Sequence, residues 1–302
     1  MAQISSKKKK KVTGASIWRD LSGWLLIIPT ILLFFLIVWR PIGIAMGYSF
    51  FDLKGFDPVE FVGFKNFKEV LTDTNFLKTL ANTIKYVFWS LIIGFPLPFI
   101  VAVMMNEMIK TKGFFKFVTY LPAIIPAMAN YIIWKFIYAD GGGGLLNMFL
   151  NFIGFGNMEW LSNAHLAIPL MIVAMSWHGF GGTTVIYLAS LQGVDQSLYE
   201  AAQLDGAGVF TRIKMVMMPH MFGILSLNFV RQIISIFQIT EMPMVMTGGG
   251  PNGATLTLGL TNYYYAFKYS QFDKSMALGV VTFLLLISLT FVYFKMDRKI
   301  NG

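Results

Sequence analysis

The sequence contains no cysteine and few charged residues for its length. Of its 302 residues, 13% are charged and 56% are hydrophobic. The absence of cysteine excludes a disulfide scaffold, a thiolate metal site and a thiol nucleophile. A soluble domain of this size would need more polar surface to cover its core, and an aromatic fraction of 16% excludes a disordered chain. A polytopic membrane protein remains.

Six apolar stretches are each long enough to cross a bilayer as a helix. About 20 apolar residues span a hydrocarbon core of roughly 30 Å, because a helix satisfies its backbone polar groups internally. The stretches are about 21–46, 84–105, 117–138, 165–191, 221–240 and 275–294. The fourth is the weakest because Gly179, Gly181 and Gly182 interrupt it. We therefore predict an all-α polytopic membrane protein with six transmembrane helices over 21–294, a basic segment 1–20 and a short tail 295–302.

The basic residues are unevenly distributed between the two sides of the predicted bundle. The side that carries both termini has fourteen basic residues against six acids, and the opposite side has seven against nine. Because positive residues are retained in the cytoplasm, we expect both termini to be cytoplasmic. The lysine run 7–11 is then an orientation signal that contacts lipid headgroups. The net charge of +9 is spread over four short segments, so it does not indicate nucleic-acid binding.

A segment of about 28 residues, 192–219, connects the fourth and fifth predicted spans. Asp195 is a good N-cap for a first short helix, and Gly206 and Gly208 end or bend that helix. A second amphipathic stretch then leads to Pro219. We expect two short helices at an angle, which form a knob. Periodicity leaves two interpretations open: a knob that inserts into a groove of another protein, or an interfacial hairpin that only connects two spans.

The sequence of this segment, EAAQLDGAGVFTRIKMVMMP, resembles the Glu-Ala-Ala (EAA) loop of the membrane subunits of binding-protein-dependent ABC importers. The residues that match the family spacing are Glu200, Ala201, Ala202, Asp205, Gly206, Ala207 and Pro219. Ile213 and Met218 depart from the pattern but remain hydrophobic. The stretches VGFKNFKEVL, TYLPAIIPAMANYIIWKFIY and MTGGGPNGAT resemble the sugar-permease branch, to which the larger channel subunit of the maltose transporter belongs.

The resemblance implies a permease subunit in a bacterial inner membrane. Its partners would be a second homologous permease, two cytosolic ATPase subunits and an external sugar-binding protein. ATP and magnesium would be bound by the ATPase subunits, and we expect no cofactor on this chain, which has no Walker A sequence. The EAA loop would dock into the ATPase, with Glu200 as its anchor and Gly206 at its bend.

A polar stripe follows one face of the fifth predicted span and indicates a path for solute. Its members recur at spacings of three and four residues: Asn228, Arg231, Gln232, Ser235 and Gln238. The family resemblance places substrate contacts at Gln232, Ser235, Ile236 and Ile239, and in the fourth span at His178, Gly179 and Gly182. Amide and hydroxyl groups suit a neutral polyol. The alternative is hydrogen bonding between helices of two subunits, which applies most to Arg231.

Gly182 stands where relatives often have a bulky aromatic residue, which leaves Trp177 or Phe180 to stack on a sugar. Other functions were weighed against sugar import. A permease for glycerol phosphate, a polyamine or an anion would need charges in the cavity, where only Arg231 offers a cation. An ATP-independent channel would not need the EAA loop. An intramembrane enzyme is disfavoured because the three histidines are far apart and the spans contain almost no acids.

Overall fold

The computed structural model describes residues 14–108 and 111–301, and the side chains of 23–108 and 111–295. The lysine run 7–11, Lys110 and the first part of the predicted basic segment lie outside the described residues. The helices in chain order are α1 (Gly14–Phe34), α2 (Arg40–Tyr48), α3 (Lys65–Thr72), α4 (Phe76–Trp89), α5 (Pro96–Glu107), α6 (Lys112–Ile124), α7 (Ala127–Ile137), α8 (Leu145–Phe152), α9 (Ala167–Gln192), α10 (Gln196–Leu204), α11 (Val209–Arg212), α12 (Met218–Phe237), α13 (Glu241–Met246), α14 (Leu258–Tyr263) and α15 (Phe272–Asn301).

Short π-helical turns and one hairpin complete the described elements. The π-helical turns are Phe35–Trp39 between α1 and α2, Ser90–Gly94 between α4 and α5, Ile213–Met217 between α11 and α12, and Tyr264–Lys268 after α14. Strands β1 (Phe51–Lys54) and β2 (Asp57–Phe61) pair antiparallel, with an irregular register between Asp52 and Leu53. Gly55 turns the hairpin with a φ of +66°, a conformation that glycine adopts without strain. The chain is therefore mostly helical, and the hairpin departs from the predicted all-α fold.

Four helical segments within the described residues are long and apolar enough to cross a membrane. They are Gly23–Tyr48, Phe76–Glu107, Val209–Phe237 and Phe272–Lys295. A fifth span results if α6 and α7 are counted as one broken helix. Four to five spans confirm a polytopic membrane protein. The predicted fourth span, α9, is a helix of 26 residues that is not among these segments, and glycines, threonines and His178 interrupt its apolar sequence.

The third predicted span, 117–138, is not one straight helix. α6 and α7 meet at an angle of 92°. Pro126 explains the break, because proline disfavours the helical conformation of the residue before it, and Ile125 has an extended ψ of 131°. Both halves still follow α9 in antiparallel order: a Cβ at Gly181 would lie 2.2 Å from the Thr119 carbonyl oxygen, and Asn130 Nδ2 donates to the Ala174 carbonyl at 3.4 Å.

The fifth predicted span begins earlier and ends earlier than expected. Pro219 does not separate it from the preceding loop, because the helix runs without interruption from Val209 to Phe237. The π-helical turn Ile213–Met217 comes just before Pro219 and changes the hydrogen-bond pattern where proline has no N–H to donate. At the other end, Gln238 has left the helical conformation, with φ −96° and ψ 2°.

The bundle has two ends, named here for what they carry. The hairpin end holds β1 and β2, where the buried Asn66 amide donates to the carbonyls of Ser49 and Phe51. The loop end holds the segment 192–217, where Arg212 forms an ion pair with Glu107 at 2.8 Å. Between the ends, α9 is the central helix of the core. It contributes Ile172 to the cluster towards the hairpin end, and Leu188 to the cluster towards the loop end.

Candidate translocation cavity and coupling loop

A cavity of about 250 Å³ lies between α9, α12 and the start of α5. It is lined by Gly94, Phe95, Pro98, Met175, Ser176, Gly179, Phe180, Thr183, Tyr187, Asn228, Arg231, Gln232 and Ser235. Five of the predicted path residues are therefore brought together in one wall: Gly179, Asn228, Arg231, Gln232 and Ser235. Because α12 carries four of them, the polar stripe of this helix faces the cavity.

Gly94 allows the polar groups of this cavity to approach one another. A Cβ at Gly94 would lie 2.8 Å from Ser176 Oγ and 3.4 Å from Gln232 Nε2. Ser176 Oγ is buried and has no hydrogen-bond partner among the described residues, and Asn228 Nδ2 donates to the Ile224 carbonyl at 2.9 Å. Sequence reasoning missed Gly94 and Ser176. An isolated glycine in an apolar helical run was the signal for such a close approach.

The other predicted path residues do not line the cavity. His178 Nε2 lies 2.8 Å from the carbonyl oxygen of Ile125, at the break between α6 and α7. Gly182 has open space where a Cβ would lie. Ile236 is 1% exposed and packs in the apolar cluster towards the hairpin end. Ile239 lies beyond the end of α12, and its carbonyl accepts a hydrogen bond from Thr257 Oγ1 at 2.7 Å.

The two aromatic candidates for stacking on a sugar occupy different places. Phe180 lines the cavity. Trp177 instead packs edge-on against Trp134, with ring centroids 5.9 Å apart. Only Phe180 of this pair is therefore placed to contact a solute in the cavity.

In the segment 192–217, α10 is one short helix, and the bend at Gly206 separates it from the long helix Val209–Phe237. The second short helix that the sequence predicts is the first part of this long helix. The Asp195 carboxylate caps α10 by accepting from the backbone N–H of Ser197 at 2.9 Å, and this hydrogen bond lowers the pKa of Asp195. Gly206 has a φ of +72°, which reverses the chain after α10. Glu200, Ala201 and Asp205 are exposed, while Ala202 and Ala207 are half-buried.

The same segment exposes large apolar side chains at the loop end. Leu204 is 89% exposed and Phe210 is 88% exposed. By contrast, Tyr199 is 8% exposed, and its burial raises its pKa. The Arg212–Glu107 ion pair fixes α11 to the end of α5. The loop is therefore anchored on one face, and among the described residues it leaves the apolar side chains of Leu204 and Phe210 exposed.

The membrane bundle thus has an internal cavity lined partly by polar side chains and an anchored loop at one end. A family model makes the class specific: the chain belongs to the binding-protein-dependent transport system inner membrane components, which match residues 94–302. 

Relatives of similar length include sugar transport permeases. The chain is 30% identical over 277 residues to a trehalose/maltose transport system permease protein, MalF, of Thermococcus litoralis, covering 91% of this chain and 93% of the relative. It is 28% identical over 293 residues to an arabinooligosaccharides transport system permease protein, AraP, of Bacillus subtilis, covering 94% and 93%.

A solved structure has the same fold. A chain of a bacterial ABC transporter involved in the import of the acidic polysaccharide alginate superposes with a TM-score of 0.83 and 22% identity. The match covers 95% of this chain and 99% of that chain. At this identity the similarity establishes the architecture of the bundle.

Proposed function

We propose that this chain is a permease subunit of an ATP-binding-cassette importer in a bacterial inner membrane. It translocates a carbohydrate of the oligosaccharide class. An external solute-binding protein delivers this substrate. A second homologous permease completes the path, and two ATPase subunits, which hold ATP and magnesium, drive alternating access. The curated relatives named above support the substrate class, because their names specify trehalose, maltose and arabinooligosaccharides.

One observation carries the proposal: a single helix joins the exposed loop to the cavity wall. The helix Val209–Phe237 carries the exposed Phe210 in its first turn, and Gln232 and Ser235 in the wall of the cavity. Its 29 residues correspond to a rod of about 43 Å. A displacement of the loop by a docked ATPase therefore moves the polar wall of the cavity, which is the mechanical requirement for coupling ATP hydrolysis to alternating access.

The proposed membrane topology has six spans, with the segment 192–217 between the fourth and the fifth. α9 is the additional span, because it runs between the two core clusters and its 26 residues cover about 39 Å. The broken pair α6 and α7 counts as one span because both halves follow α9. An even number of spans places both termini with the segment 192–217, on the cytoplasmic side.

The chemistry of the cavity supports a hydroxyl-rich solute. Asn228, Gln232 and Ser235 can each donate and accept hydrogen bonds, as sugar hydroxyls do. Arg231 and Ser235 are exposed in the isolated chain, so the cavity is open on the side where a second permease would close it. Lipid cannot cover these groups without a cost of several kcal/mol.

The proposal is tested by ATP-driven uptake with the full importer in proteoliposomes. The probes are radiolabelled maltose and arabinotriose, added with the binding protein. Phe210→Ser removes an apolar contact that is 88% exposed at the loop end, and Phe152→Ser removes one that is 87% exposed at the hairpin end. We expect Phe210→Ser to reduce both uptake and the co-purified ATPase by about tenfold. The Phe152→Ser control keeps the ATPase.

Uptake that needs no ATPase, or equal retention of the ATPase by both variants, contradicts the proposed coupling. ATP-independent uptake by the chain alone would establish the channel alternative instead.

A further inference from the structure

Arg231 is a cation in the cavity wall that has no partner among the described residues. The described residues form two ion pairs, Arg212–Glu107 and Lys274–Glu69, and Arg231 makes no ion pair or hydrogen bond. No aspartate or glutamate lines the cavity. The guanidinium therefore points its positive charge at a space that this chain leaves uncompensated.

No carboxylate among the described residues forms an ion pair with Arg231. The segments that form the cavity walls, 76–106, 167–192 and 209–237, contain no acidic residue. Glu107, the acid that follows the first of them, is paired with Arg212 at the loop end. Arg212 precedes Arg231 by 19 residues of one helix, a distance of about 28 Å. Arg231 is exposed in the isolated chain, but lipid would not compensate an unpaired guanidinium within the membrane, so its position points to a function.

Ser176 provides a second, independent sign of a ligand in the same cavity. Its Oγ is buried, lines the cavity and has no hydrogen-bond partner among the described residues. The side chain is 7% exposed. A buried hydroxyl without a partner is unfavourable unless another molecule satisfies it. The cavity thus contains a free hydroxyl in addition to the free cation.

We propose that the transported saccharide carries a carboxylate, as a uronic acid does, and that Arg231 binds this group during translocation. This inference rests on the proposed function and specifies its substrate. Guanidinium pairs with carboxylate through two parallel hydrogen bonds. Ser176, Asn228 and Gln232 would then contact the ring hydroxyls. One cation matches one carboxylate, whereas a phosphate dianion would leave a charge uncompensated among the lining residues.

The test compares ATP-driven uptake of an acidic and a neutral disaccharide of equal length by the full importer. The probes are cellobiouronic acid and cellobiose, and Arg231→Gln is the variant. The same binding protein serves both importers, so its selectivity cancels in the ratio of wild type to variant. We expect Arg231→Gln to reduce kcat/KM for the acid by about tenfold or more and to leave cellobiose unchanged. Arg231→Lys keeps the charge without the bidentate geometry and should be intermediate.

Arg40→Gln is the matched control, because it removes the same charge from the exposed first span. It should not change the ratio between the two sugars. An unchanged ratio in Arg231→Gln, or equal loss of both sugars together with loss of the second permease, overturns the inference and assigns Arg231 to a contact between subunits. Failure of wild type to transport either saccharide with ATP contradicts the proposed function itself.

Discussion

At Gly181, α9 lies directly against the backbone of α6. A Cβ there would lie 2.2 Å from the carbonyl oxygen of Thr119, whereas a Cβ at Gly182 would meet nothing within 4 Å. The two neighbouring glycines therefore differ in role: the first allows two helices to touch, and the second leaves open space. The sequence alone treats them as equivalent interruptions of an apolar stretch.

Gly181→Ala should destabilise the bundle by about 3 kcal/mol, because neither backbone can move away without disturbing the core. We expect the apparent Tm of the purified chain to fall by about 5 °C or more. Gly182→Ala is the matched control and should stay within about 0.5 kcal/mol of wild type. Equal effects of the two substitutions would contradict the close approach at Thr119.

His178 makes a structural contact at the break of the third span. The carbonyl of Ile125 precedes Pro126 in the bend, and His178 Nε2 lies 2.8 Å from it. Because this nitrogen faces a carbonyl oxygen, it is the ring atom that donates. A side chain that the family resemblance assigns to the substrate path thus also has a contact at the helix break.

We expect His178→Phe to lower the free energy of unfolding by about 1 kcal/mol, since the half-buried carbonyl loses its donor. His178→Gln retains an N–H donor and should recover part of this loss. Thermal unfolding of the three purified forms measures the difference. If His178→Phe unfolds at the wild-type temperature while sugar uptake falls, the histidine belongs to the substrate path.

At the scale of elements, an ion pair between residues far apart in the sequence, Arg212 and Glu107, holds the loop 192–217 against α5. Arg212 and Glu107 have side chains that are 13% and 30% exposed. Solvent therefore screens this pair less than an exposed pair. Its position, next to the start of the helix Val209–Phe237, makes it the connection between α5 and the loop.

A double-mutant cycle should give a coupling energy of about 1–2 kcal/mol between these two residues. Arg212→Gln and Glu107→Gln should each speed chymotrypsin cleavage beside the exposed Leu204 and Phe210, since loosening of α11 opens this region. The double variant should be cleaved no faster than the single variants. Additive effects would mean that the two side chains act independently.

How much of the structure the sequence predicts depends on how far apart in the sequence the interacting residues lie. Local signals predicted the apolar, mostly helical character of the chain, the Asp195 cap, the bend at Gly206 and the polar stripe of α12, because each depends on neighbours within one or two turns. Contacts between distant helices were not predictable, including the roles of Gly94, Ser176 and His178. The break at Pro126 lies between these cases: proline weakens a helix locally, but packing against α9 fixes the angle.

For the molecule as a whole, the orientation of the bundle decides whether the loop can meet an ATPase. The distribution of basic residues predicts that the loop end is cytoplasmic and the hairpin end faces outward. Because the chain has no cysteine, a single introduced cysteine reports the side of the membrane without a background. Leu204 and Phe152 are 89% and 87% exposed, and they lie at the loop end and the hairpin end.

In intact cells stripped of any outer membrane, a membrane-impermeant maleimide should label Phe152→Cys at once. Leu204→Cys should be labelled only after the membrane is permeabilised, with at least about tenfold less label before this step, because the apolar bundle excludes the charged reagent. Both variants must be labelled equally in detergent, which shows that their thiols are equally reactive. Labelling of Leu204→Cys in sealed cells would place the loop outside, beyond the reach of cytosolic ATPases, and would make coupled import through this loop impossible.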